Sequence, residues 1–197
     1  MSRTPVLERT EEAKLPTKYG SFRIVGFTDR KGNTHVALIK GDVFGGEDVL
    51  VRIHSSCLTG ESFGSQRCDC GEQLKRAMKL LEAEGRGVIV YLQQEGRGIG
   101  LSNKLRVYHM QDEGFDTVSA NVLLGFRPDE RSYEIAASIL KDLGVRSVIL
   151  LTSNTEKIRD IERRGIKVKG FRKFGGKRNP HNTEYMEAKK KRMGHLI

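Results

Sequence analysis

The chain has 197 residues, 37% of them hydrophobic and 30% charged, with a formal net charge of +10. That composition fits a globular protein with its own core and excludes a disordered one. No apolar run approaches the roughly 20 residues that a bilayer-spanning helix needs, so no membrane partner is expected. The N-terminus, MSRTPVLERTEEAK, reads as carrying no secretory signal, and a cytoplasmic location is expected.

Three cysteines in such a chain point to reduced thiols rather than a disulfide framework. A surplus of positive charge attracts polyanions, whether nucleic acid, anionic lipid or phosphorylated small molecules, and does not choose among them. Its densest cluster, Lys189, Lys190, Lys191 and Arg192, reads as a solvated chain end.

In chain order, FRIVGF (22–27), HVALIK (35–40) and VLVRIH (49–54) predict strands, with a hairpin turn at KGN (31–33). GEQLKRAMKLLEAEG (71–85) predicts an amphipathic helix, because Leu74, Ala77, Met78 and Leu81 share one face and Gly85 ends it. GVIVYL (87–92) is a continuous apolar run, the pattern of a buried strand. Helices are then expected over 99–114, 129–144 and 155–165, with a buried strand at 148–154 and an edge strand at 166–170. A last helix is expected over 182–193. Strands first, then helices alternating with buried strands, predict a single α/β domain with a mixed sheet flanked by helices. The pattern does not give the strand order.

Cys57, Cys68 and Cys70 form C-x10-C-x-C. Three close thiolates are soft ligands suited to Zn²⁺, and three protein ligands leave the fourth tetrahedral position open for catalysis. His54, three residues before Cys57, offers the alternative of a closed Cys₃His structural site. A third alternative is three unrelated buried thiols. Three thiolates also leave a divalent ion with a net negative charge, a weak Lewis acid that needs help from nearby cations or a base.

After the strand at 87–92 comes QQEGRGIG (93–100), a glycine turn leading into a helix. Such turns let a backbone approach phosphate, although neither standard phosphate-loop motif is present. Glu95 is able to accept from the N1–H and 2-amino groups of guanine, and Arg97 to reach a base edge or a phosphate.

The segments RIHSSCLTGE, GSQRCDCGEQL, YLQQEGRGIGLSNKLRVY, DTVSAN, LGFRPDERSY and RMGHL together resemble the GTP cyclohydrolase II family, from about Ala13 to His195. The resemblance implies hydrolysis of GTP with loss of pyrophosphate, opening of the imidazole ring at C8 and release of formate. It implies one Zn²⁺ per subunit, Mg²⁺ with the phosphates, and a homodimer. It places Cys57, Cys68 and Cys70 as zinc ligands. It places Arg52, Ile53, His54, Ser55, Ser56, Gln73, Glu95, Gly96, Arg97, Thr117, Thr152 and Lys157 on GTP. Asp129 matches a proton acceptor, Arg131 a nucleophile, and Tyr108 a tyrosine beside the base. Arginine stays protonated in proteins, so Arg131 is better read as a clamp on the departing pyrophosphate. Read without the resemblance, Asp129 caps the helix after it, Tyr108 is a core aromatic and Lys157 a solvated helix residue.

The domain expected from this resemblance covers 13–175, between a mobile extension at 1–12 and a basic segment at 176–197, partly helical or disordered. The chain departs from the family pattern at HSSC, DTVSAN, LTSNTEK and DERSY. Ser56 and Ser119 stand where carboxylates are expected. The rival readings are a nucleic-acid-binding protein with structural zinc and a GTP hydrolase that retains formate.

Overall fold

The structure, a computed structural model, describes residues 7–127, 129–176, 178–183 and 185–187, with only the backbone of Thr117 and Val118. Pro128, the Lys189–Arg192 cluster and the closing RMGHL segment lie outside the described residues.

Strands β1 (Glu8–Arg9) and β2 (Ala13–Thr17) lie along one side of β3 (Gly20–Thr28). Arg9 faces Phe27 and Ala13 faces Ile24, so the edge carries one extra residue, a bulge. Thr10 bridges it: its amide donates to the Gly26 carbonyl and its hydroxyl accepts from the Gly26 amide, both at 3.0 Å. Glu8 and Arg9, which fall within the expected N-terminal extension, pair with β3.

β4 (Thr34–Lys40) pairs antiparallel with β3 and buries His35, Ala37 and Ile39, the alternation of a half-buried strand. β6 (Gly87–Leu92) lies beside β4, antiparallel, and β5 (Val49–Ser55) beside β6, parallel. β7 (Ser147–Leu151) and β8 (Lys167–Arg172) continue in parallel, giving the order β1-β3-β4-β6-β5-β7-β8. This is the expected α/β domain with a mixed sheet.

Both faces are covered, which explains the apolar runs of β6 and β7 and the burial of β5 along almost its whole length. α2 (Cys70–Glu84) packs Ala77, Met78 and Leu81 against Phe22, Leu50 and Ile89 on one face. It stops at Gly85, whose φ of 72° supplies the left-handed cap. On the other face, α5 (Glu134–Asp142) and α6 (Thr155–Arg163) cover Val51, Val88, Val90 and Val148. α1 (Leu58–Glu61), α3 (Leu101–Asp112) and α4 (Thr117–Leu123) gather near the ends of β5 and β6.

Two helices differ from the sequence pattern. The helix expected from residue 129 starts at Glu134, with Tyr133 as its N-cap. Asp129 does not cap it: its carboxylate is turned back onto Arg131, which keeps 129–133 irregular. α4 is the second difference. Asp116 accepts from the amide and hydroxyl of Ser119, at 3.2 and 2.5 Å, and so caps a short helix whose apolar residues show no clear period.

The connections set the site's place. β5 leads to α2 on one face, and β7 leads to α6 on the other, while β5 and β7 are neighbours. The crevice beyond their carboxyl ends is where an open α/β sheet receives ligands.

Candidate metal and nucleotide site

Cys57 follows the end of β5, and Cys68 and Cys70 lie at the start of α2. Their sulfurs lie within 4.8 Å of one another, Cys57 and Cys68 at 3.7 Å. Ligands at the Zn–S distance in a tetrahedral site are about 3.8 Å apart, so this donor set fits one soft, four-coordinate ion. Among the described residues it is the one group of three or more candidate ligands. A methyl carbon built on Gly60 falls 2.6 Å from Cys68 Sγ and 3.3 Å from Cys57 Sγ, so a residue without a side chain cradles the cluster.

Hydrogen bonds from the Cys68 and Cys70 thiols, with Lys104 beside it, pull the Cys57 thiol far down. The Cys57 hydrogen bond and burial push Cys68 up to about 11. One thiolate therefore suppresses the next, and a divalent cation among them is what lets all three ionise.

His54 does not join the cluster. Burial keeps its ring neutral, and Nε2 meets Glu61 Oε1 at 2.9 Å. Tyr91 donates to the other Glu61 oxygen at 2.7 Å and stacks on the His54 ring at 5.7 Å. The Cys₃His alternative is thus not formed, because Glu61 takes the imidazole.

The glycine turn after β6 is a short 3₁₀ element, Glu95–Gly98. Glu95 accepts from the Leu58 amide at 2.7 Å, the Gly96 amide at 2.9 Å and Lys104 at 2.8 Å. Most of its acceptor capacity is therefore used inside the protein. Arg97 has a φ of +61°, a strained value for a residue with a Cβ. Both of its terminal nitrogens are buried without a hydrogen-bond partner among the described residues. Its guanidinium lies 5.6 Å over the Tyr185 ring.

One cleft is lined by the three cysteines, Glu95, Arg97, Tyr108, Arg131 and Tyr185. A second hollow shares Ser55, Cys70, Arg97, Arg131 and Tyr185 with it and adds Arg52, Gln73, Thr152 and Lys157. Arg52 donates to the Leu151 carbonyl at 2.8 Å and to the Gln73 side chain, with Phe174 under its plane. Burial pulls it down to about 10, and it remains charged at neutral pH. Lys157 is buried, not solvated, and donates to the Ile53 carbonyl at 2.8 Å. Arg131 is held by Asp129 through two bonds, at 2.8 and 2.5 Å. Burial acts against the Asp129 charge, but Arg131 reverses that and holds the carboxyl below its usual range.

Tyr108 is a cleft residue rather than a core one, with its hydroxyl 3.2 Å from Thr59 Oγ1. Burial raises its pKa, so it stays a phenol. Thr152 Oγ1 accepts from the Asn154 amide at 3.0 Å. Ile53 points its side chain into the core, and only its backbone is near the cleft. Ser55 and Ser56 each bury a hydroxyl without a partner among the described residues. Thr117 opens α4, and its side chain lies outside the described residues. Ser119 donates to the Asp116 cap of α4. Sequence reasoning missed Lys104, Glu61, His181 and Tyr185. The last two come from the segment expected to be a basic tail, where one histidine and one tyrosine carry no spacing signal.

A three-cysteine cluster able to hold a metal ion and a cationic cleft thus lie together at the carboxyl edge of an α/β sheet. The chain belongs to the GTP cyclohydrolase II family, whose model matches residues 8–173. It is 50% identical to a GTP cyclohydrolase-2 of Neisseria meningitidis, over 98% of each chain. It is also 50% identical to the riboflavin biosynthesis protein RibBA of Bacillus subtilis, over 98% of this chain and 49% of that one. The chain thus spans about half the length of the RibBA relatives it matches. A crystal structure of RibBX, a two-domain 3,4-dihydroxy-2-butanone 4-phosphate synthase from A. baumannii, shares the fold. That likeness has a TM-score of 0.50 at 22% identity, over 85% of this chain and 40% of that one. No helix among the described residues is long and apolar enough to cross a membrane.

Proposed function

We propose that this chain hydrolyses GTP at C8, releasing formate and pyrophosphate and leaving 2,5-diamino-6-ribosylamino-4(3H)-pyrimidinone 5′-phosphate, the first committed step of riboflavin synthesis. The observation that carries the reading is a pair of adjoining hollows that share Arg97 and Arg131, one lined by the three-thiol cluster and the other by Arg52 and Lys157. The names of the relatives, GTP cyclohydrolase-2 and riboflavin biosynthesis protein, support it.

Cys57, Cys68 and Cys70 hold zinc. When bound, zinc supplies Lewis acidity and an activated water at C8. Arg52, Arg97, Arg131 and Lys157 bind the triphosphate, and Arg97 contributes guanidinium donors that no protein group uses. Asp129 aims Arg131, which acts as a charged clamp on the departing pyrophosphate rather than as a nucleophile. A carboxylate so engaged is a weak proton acceptor. Tyr108, kept protonated by burial, is the better proton donor during ring opening. Glu95 reads the guanine edge with the acceptor position left on Oε2, beside the Leu58 amide. Gln73 and Thr152 position Arg52 and the α6 turn, and Ser55, Ser56 and Thr117 contact the nucleotide. Mg²⁺ arrives with the phosphates, since no carboxylate cage exists among the described residues. The reading includes a cytoplasmic homodimer with no nucleic-acid or membrane partner.

The test is to incubate zinc-loaded protein with GTP and measure pyrimidine product, formate and pyrophosphate together. Equal amounts of all three are expected. Pyrophosphate without formate identifies a hydrolase that keeps the ring carbon. No turnover with steeply salt-dependent nucleic-acid binding identifies a structural-zinc module.

A further inference from the structure

Lys104 belongs to none of the groups discussed so far as ligands or catalysts, yet it touches the site at three points. It lies on α3 and is buried beside the cluster. Its ammonium donates to Cys57 Sγ at 3.1 Å, Thr59 Oγ1 at 2.9 Å and Glu95 Oε1 at 2.8 Å. An ammonium has three N–H donors, so each one is committed and none is left for substrate. Thr59 in turn lies 3.2 Å from the Tyr108 hydroxyl.

This placement answers the charge problem of the cluster. Three thiolates around a divalent ion carry a net negative charge, and their donation weakens the ion as a Lewis acid. A charged N–H on one of those sulfurs withdraws electron density from the ligand. A lysine serving only as Glu95's ion partner has no need to spend a second donor on sulfur.

We propose that Lys104 is the counter-charge of the metal centre and its positioning residue. Its bond to Cys57 keeps a bound divalent ion electrophilic. Its bond to Glu95 fixes the spacing between that ion and the turn at Glu95–Gly98. The proposal rests on the reading of the three cysteines as a metal site, and not on which reaction the site performs.

The experiment replaces zinc with Co²⁺, whose thiolate-to-metal charge-transfer band reports the electron density on the sulfurs. The wild-type protein is expected to bind one Co²⁺ per chain with that band. If it binds none, the metal reading itself fails, and the proposal with it. In Lys104→Gln the band moves to lower energy, and Co²⁺ affinity at neutral pH, measured by chelator competition, falls about 10- to 100-fold. In Glu95→Gln the band stays or moves the opposite way, because Lys104 keeps its bond to the sulfur and no longer shares its charge with a carboxylate. Lys104→Gln binding one Co²⁺ with the wild-type band overturns the proposal, as does Glu95→Gln reproducing its shift. Should Lys104→Gln not fold, Lys104→Arg is read instead. Its longer, more diffuse cation moves the band part of the way in the same direction, and a band at the wild-type energy overturns the proposal.

Discussion

Gly60→Ala tests whether the cysteine cluster is a metal cradle. The added methyl falls 2.6 Å from Cys68 Sγ, 3.3 Å from Cys57 Sγ and 3.4 Å from Cys70 Cβ. Non-bonded heavy atoms rest at about 3.5–4.0 Å, so the Cys68 sulfur must move by roughly 1 Å. Metal–ligand distances tolerate only about 0.2 Å. Gly60 does not have a positive φ, so the effect is steric and owes nothing to backbone strain. Overpacking of this kind costs about 1–3 kcal/mol, which converts to a loss of zinc affinity of roughly 5- to 150-fold. Competition with a chromophoric chelator measures it. Thermal melts of the metal-free protein separate the loss from unfolding, because without metal the thiol is free to rotate aside. Gly170→Ala, with nothing within 4 Å of its added carbon, is the control. Gly60→Ala holding zinc as tightly as wild type refutes the cradle.

Arg97→Met is expected to stabilise the free protein while weakening GTP binding, because it removes a buried guanidinium whose terminal nitrogens have no partner. Allowing for the lost contact with Tyr185, the net gain is about 1 kcal/mol, or roughly 2–4 °C in Tm by calorimetry; a lower Tm counts against an anion-seeking role. Tyr185→Leu removes the ring over which Arg97 lies at 5.6 Å. GTP turnover should show kcat/KM reduced roughly 2- to 10-fold, and an unchanged value excludes Tyr185 from the site. Asp29 holds the Lys31 and Asn33 amides and faces His35, whose Nδ1 accepts from the Gln93 amide at 3.1 Å ahead of the glycine turn. Burial acts against its charge, but the Asn33, His35 and Lys31 hydrogen bonds lower its pKa from 3.8 to about 2. The stability it contributes is therefore present above pH 3.8 and lost as pH falls towards 2. After allowance for screening by water it amounts to about 1 kcal/mol. Denaturant melts of wild type and Asp29→Asn should differ by that much at pH 7 and converge near pH 2; a constant gap contradicts the assignment.

Much of the framework was legible in the chain because it depends on near neighbours. The period of Leu74, Ala77, Met78 and Leu81 marked α2, and Gly85 marked its end. The apolar runs marked β6 and β7 as strands buried on both faces, and β5 was legible as a strand. C-x10-C-x-C marked a metal ligand set, but spacing alone left His54 as a possible fourth ligand. The fold decided that by placing Glu61 and Tyr91 on the imidazole. It also decided the strand order, the late start of α5 and the cap of α4, which follow from contacts that propensity does not register. A lysine on α3 reads like any solvated helix lysine until α1 and the glycine turn bring a thiolate and a carboxylate to it. Arg97 was legible as a cation able to reach a base edge or a phosphate, but not that folding leaves its terminal nitrogens without a partner among the described residues. Composition and local period determined that this chain folds as α/β and carries thiolates close enough for a metal. Only the tertiary structure decided which charges stand beside them, because those charges come from segments distant in sequence, and Coulomb interaction depends on distance in space.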